Sequence, residues 1–170
     1  SISDDKFINA GATIANNSSE VWANSHVITK VKEPLADEYD FFRDQQIIFT
    51  FLHLAAEKEL TEALIKKRVT GIAYETIEKN NKLPLLKPMS EIAGKMATQV
   101  GATCLENQHG GKGILLSGVP GVKKGRVVII GAGVVGTNAA KIALGMGADV
   151  SILDINAEQL EHVDNLFNGK

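Results

Sequence analysis

The chain has 170 residues, 44% of them hydrophobic and 22% charged, with 18 basic against 20 acidic side chains. Those proportions belong to a globular chain rather than a disordered one, and the near-neutral balance argues against a protein that grips nucleic acid through its phosphates. One cysteine excludes a disulfide framework, no run of 18 apolar residues offers a membrane span, and no basic-then-apolar leader is present, so a cytoplasmic location is expected.

From the N-terminus, Ser3 is placed to cap a short helix over 7–10 that Gly11 stops, and Ser18 and Ser19 start a second, carrying Val21 and Trp22. Residues 26–31 read as a strand that ends at Lys32, Glu33 and Pro34, followed by a polar helix over 35–42. The apolar run 47–52 is expected to be a strand buried on both faces. Residues 57–68 form a helix with Leu60, Leu64 and Ile65 on one side, and 69–74 return as a strand. Strands recurring with helices between them indicate parallel α/β winding.

A polar stretch over 78–88 closes with Pro84 and Pro88, and two prolines in five residues interrupt regular structure. The expected domains are therefore 1–87 and 88–170. Ser90 is expected to cap a long helix over 91–105, whose Gly94, Ala97, Gly101 and Cys104 share a face, with Cys104 a small buried hydrophobe. Six glycines from Gly110 to Gly125 then mark a loop or hairpin.

The motif that carries chemistry comes next. A strand over 126–130 runs into Gly131, Ala132, Gly133, Val134, Val135 and Gly136, then an Ala-rich helix over 137–146 and a strand over 149–153 that ends at Asp154. This is G-x-G-x-x-G between strand and helix, with an acid 18 residues beyond the last glycine. Gly131 permits the tight turn, Gly133 lets the backbone approach a pyrophosphate, and Gly136 lets helix pack on strand. The helix start offers open N–H groups to the phosphates. A carboxylate at Asp154 takes ribose hydroxyls and repels a 2′-phosphate, so the expected cofactor is NAD rather than NADP.

Substrate chemistry is expected where strands end, since parallel α/β sheets bind ligands outside their carboxyl edge. Lys32 follows one predicted strand and can pair with a carboxylate or polarise a carbonyl; His53 follows the next and can exchange a proton near neutral pH. By position alone, His53 is as readily a hydrogen-bonded core histidine as a catalytic one, and Lys32 is more often a solvated surface lysine than a ligand. His26, His109 and His162 make no metal-ligand set, and no metal is expected.

At this point the chain resembles a known family. The segments 30–34, 49–56, 72–76, 83–86, 88–91 and 118–122, with the glycine motif, are similar to alanine dehydrogenases of the alanine dehydrogenase / transhydrogenase alpha-subunit family. The resemblance covers essentially the whole chain. It implies an α/β, Rossmann-like protein: part of a substrate domain followed by the first half of an NAD-binding domain. It also implies reversible, NAD-dependent conversion of L-alanine to pyruvate and ammonia, in a homo-oligomer that is a hexamer in the family.

Carried over by residue, Lys32 matches the family's substrate-binding lysine and His53 its catalytic histidine. Ser90 matches a cofactor-contacting serine, while Val134, Val135 and Asp154 match positions that hold the pyrophosphate and adenosine ribose. Gln159 departs from the Lys or Arg common near the adenosine. The family's substrate-binding arginine and catalytic aspartate have no counterpart in these 170 residues, so the chain is expected to be an incomplete, inactive piece. The alternatives are the NAD-binding alpha subunit of a proton-translocating transhydrogenase, which generally lacks the Lys32 and His53 pair, and a non-catalytic nucleotide-binding fragment.

Overall fold

The computed structural model describes residues 2–169; Ser1 and Lys170, the outer ends of the two expected domains, lie outside them. The chain divides into two compact units, Ser1–Leu83 and Pro84–Lys170.

The first unit opens with helices α1 (Asp4–Asn9) and α2 (Ser18–Asn24). Asn17, rather than Ser18 or Ser19, caps α2, its side-chain oxygen accepting from the Glu20 N–H at 2.9 Å. Strands β1 (Val27–Thr29), β2 (Ile47–Thr50) and β3 (Thr70–Ala73) form a parallel sheet in the order β1-β2-β3. A 3₁₀ turn over Ala36–Phe41 stands where a polar helix is expected, and α3 (Lys58–Lys66) crosses from β2 to β3. The core joins Trp22, Ile28, Phe42, Ile48, Leu52, Leu60 and Leu64.

Two expectations change here. β2 is not buried equally on its two faces: Ile48 and Thr50 are fully buried, whereas Ile47 and Phe49 are half-buried. In α3, Leu60 and Leu64 lie one turn apart and face the core, but Ile65 is rotated a further 100° or so and is 71% exposed.

The second unit begins with α4 (Lys87–Cys104), then β4 (Arg126–Ile130), α5 (Val134–Gly145), β5 (Asp149–Leu153) and α6 (Ala157–Phe167). β4 and β5 pair in parallel, from Arg126 opposite Asp149 to Ile130 opposite Leu153. The alanines of α5 explain how closely it lies on this pair: Ala139 and Ala140 pack with Ile129, and Ala143 with Leu116 and Ala148. The other face of β4 carries Val128 and Ile130, both exposed.

The prolines do not end regular structure at 88. Pro88 sits in the first turn of α4, where its missing N–H has no helical partner to lose. The helix therefore starts before the expected boundary at 87/88, and the units separate between Leu83 and Pro84. Ser90 consequently lies inside the first turn of α4 rather than at its cap, with its N–H donating to the Leu86 carbonyl at 3.0 Å.

The small-residue face of α4 is also narrower than its spacing predicts. A Cβ on Gly94 would lie 2.3 Å from the Val135 carbonyl oxygen and 2.9 Å from Asn138 Cβ, so α4 meets α5 at this glycine. One turn on, buried Thr98 donates its hydroxyl to the Ala139 carbonyl at 3.0 Å. Gly101 faces open space and Cys104 is exposed. Ten residues at 100° each turn Cys104 about 80° away from Gly94, which takes it off the packed stripe.

Candidate functional site

The first unit gathers polar groups at the carboxyl edge of its sheet. Beyond the last residues of β1 and β2 the parallel ladder continues, the Phe51 N–H donating to the Val31 carbonyl at 3.3 Å. Lys32 and His53 therefore stand at the carboxyl ends of adjacent parallel strands. The buried Thr50 hydroxyl donates to the Lys32 carbonyl at 2.9 Å, tying the two strand ends together below these side chains.

His53 is the residue under most constraint. Its φ is +50°, a left-handed conformation that costs a non-glycine residue of order 1 kcal/mol or more. Glu75, just past β3, holds it there: its carboxylate accepts the His53 N–H at 2.7 Å and the Leu52 N–H at 3.1 Å. The imidazole stacks on Phe51, ring centroids 6.2 Å apart and planes 19° from parallel. Its Nδ1 lies 2.8 Å from Glu33 Oε2, and the ring remains 43% exposed.

Glu33 is held below the usual carboxylate range, first by a hydrogen bond from its own backbone N–H and then by that from His53; the charges of His53 and Lys32 act the same way against partial burial. Glu33, Thr50 and Glu75 were not singled out in the sequence. The strand-end rule that picked Lys32 and His53 also reaches Glu33 and Glu75, because the carboxyl ends of all three strands supply the cluster.

The second unit brings together most of its predicted residues. Ser90, Gly131, Gly133, Val134, Val135 and Gly136 line one open groove of about 800 Å³, along with Thr98 and the residues of β4. α5 begins at Val134, inside the glycine motif, and has no side-chain cap, so its first-turn N–H groups open onto this space. Gly131 has φ +101° and Gly133 has no atom within 4 Å of where a Cβ would stand. Gly136 is a packing glycine: a Cβ there would come within 1.8 Å of the Gly131 carbonyl oxygen. The open glycine backbone and the uncapped helix start fit a dinucleotide pyrophosphate.

Asp154 lines a smaller adjoining groove with Gly131. Its Oδ2 accepts the Ala132 N–H at 2.6 Å and its Oδ1 the Asn156 N–H at 2.8 Å, and these bonds, that from Ala132 foremost, lower its pKa. Each oxygen keeps a further lone pair that a ribose hydroxyl can use. Gln159 donates to the Ala132 carbonyl at 2.8 Å, so the side chain that departs from the family pattern clamps the glycine turn from the other side. Among the described residues no three His, Cys, Asp or Glu side chains gather into a metal site, and no helix is long and apolar enough to cross a membrane.

These features define an α/β protein of parallel sheets with a Rossmann-like βαβ unit. Residues 1–93 match the alanine dehydrogenase/PNT N-terminal domain and residues 97–170 the alanine dehydrogenase/PNT C-terminal domain. The chain belongs to the alanine dehydrogenase/PNT family.

Among curated relatives, alanine dehydrogenase from Methanococcus maripaludis is 55% identical over 170 residues, which cover 99% of this chain and 46% of that protein. Alanine dehydrogenase from Bacillus subtilis is 58% identical over 158 residues, 93% of this chain and 42% of that protein. A solved L-alanine dehydrogenase superposes with a TM-score of 0.85 at 53% identity, over 96% of this chain and 45% of that one. A transhydrogenase from Sinorhizobium meliloti superposes at 0.73 with 24% identity, over 98% of this chain and 49% of that one, a likeness of fold alone. The chain spans under half the length of the curated relatives it matches.

Proposed function

We propose that this chain forms part of an NAD-dependent L-alanine dehydrogenase, which interconverts L-alanine and water with pyruvate and ammonia. The observation that carries the reading is the pairing of Lys32 and His53 at adjacent strand ends, in a chain 55% identical to the Methanococcus alanine dehydrogenase. In this reading the first unit is part of the substrate domain, and the second is the first part of the nucleotide domain. The protein works in the cytoplasm as a homo-oligomer, the hexamer implied by the family.

Lys32 pairs its ammonium with the substrate carboxylate and so fixes which face of Cα is presented. His53 moves a proton at the oxygen that becomes the pyruvate carbonyl. NAD, when bound, supplies the hydride acceptor for Cα. Ser90, Gly131, Gly133, Val134, Val135 and Gly136 would hold its pyrophosphate side, and Asp154 its adenosine ribose. Most of the rate then comes from positioning and charge complementarity.

The test is NADH formation from L-alanine and NAD by the intact protein, followed by absorbance. Alanine-dependent reduction that falls at least about 10²-fold in His53→Ala supports the assignment. Hydride exchange between two nucleotides with no response to alanine would replace it with a transhydrogenase subunit; nucleotide binding with neither activity would leave a binding module.

A further inference from the structure

We propose that Glu33 is a positioning residue for His53, accepting its Nδ1–H so that Nε2 is the nitrogen that meets the substrate oxygen. The proposal rests on the role given to His53 above.

Three observations converge on it. Glu33 and His53 are 20 residues apart in sequence, yet the ends of two adjacent parallel strands set Oε2 2.8 Å from Nδ1. The ring has little freedom to leave that contact, because the Glu75 bond fixes its backbone and Phe51 supports its face. Glu33 is itself partly shielded, at 24% exposure, and directly precedes buried Pro34.

The chemistry of the pair follows from protonation. The carboxyl of Glu33 is held below its ordinary range, with its own backbone N–H as the largest cause. An ionised carboxylate only accepts, so the shared hydrogen must sit on Nδ1. That leaves the lone pair of neutral His53 on Nε2, on a ring that is 43% exposed. When Nε2 takes a proton from the reacting oxygen, Glu33 faces the imidazolium and stabilises it; when Nε2 returns the proton, Nδ1 keeps its own. The charged groups around the ring are Glu33 at Nδ1, Glu75 at the backbone N–H, and Lys32, whose charge acts on Glu33.

The experiment is ¹⁵N NMR of the His53 ring in the intact protein, with kinetics on the same samples. The native protein is expected to show Nδ1 protonated and Nε2 bare, and Glu33→Ala to lose that preference. Its kcat for alanine falls about 10²-fold while KM stays within about twofold, because proton transfer and not carboxylate binding is impaired. Glu33→Gln, nearly isosteric and still able to accept through its amide oxygen, keeps part of the tautomer preference and loses about tenfold in kcat. An unchanged ring spectrum in Glu33→Ala, or a raised KM with kcat intact, overturns the positioning role. Full alanine turnover in His53→Ala is a different result, which removes the functional reading beneath it.

Discussion

Asp154 serves the fold from a strand end, and in the proposed function it serves the cofactor as well. Its two oxygens bind the backbone of its own turn at Asn156 and of the glycine turn at Ala132, which joins β5 to the start of α5. Replacing it with Asn removes the charge and leaves a single acceptor oxygen for these two donors. Asp154→Asn is expected to weaken NAD binding roughly tenfold and to narrow discrimination against NADP, as read by nucleotide fluorescence titration. The pH dependence has a definite sign. Because folding lowers this pKa, the carboxylate's contribution is present above the unfolded value and disappears only as pH falls through the lower folded one. The Ala132 amide resonance should therefore stay constant from neutral pH through the ordinary carboxylate range and move only in stronger acid.

Between elements, the meeting of α4 and α5 at Gly94 is the contact with least room for change. A methyl group there would strike the Val135 backbone, which a side-chain rotation cannot move aside. Gly94→Ala is expected to cost about 1–3 kcal/mol in urea unfolding of the second unit. It should also disturb the first turn of α5, where the proposed pyrophosphate contacts lie. The glycine motif was legible because its local rules are strict: strand, turn, helix and acid must follow at fixed distances. The placement of Lys32 and His53 at neighbouring strand ends was legible for a related reason, since each directly follows an apolar run that reads as a strand. Glu33, Thr50 and Glu75 were less so, because each acts through a backbone or ring supplied by a different strand, and pairing across a sheet leaves no mark on local spacing. The packed face of α4 failed in the same way: small residues at helical spacing do not say which of them meets the neighbour. Ala97 and Gly101 line the groove instead, and the packed stripe follows Gly94 and Thr98.

At the scale of the whole chain, each unit has a core of its own. That of the first is a single cluster centred on Ile48, Leu52 and Leu60, all essentially without exposure. The second relies on two smaller clusters around the alanines of α5. Leu60→Ala is expected to remove about 2–5 kcal/mol from the first unit. Amide hydrogen exchange should then quicken in β1, β2 and β3, while β4 and β5 keep their protection; equal loss in both sheets would mean that the units unfold as one. Cys104 adds something of practical use. The chain has one thiol, and it stands exposed at the last turn of α4. Within these 170 residues a maleimide dye would therefore attach at one place, without mutagenesis, giving the nucleotide-fold unit a built-in reporter whose anisotropy follows its tumbling as ligands or partners are added.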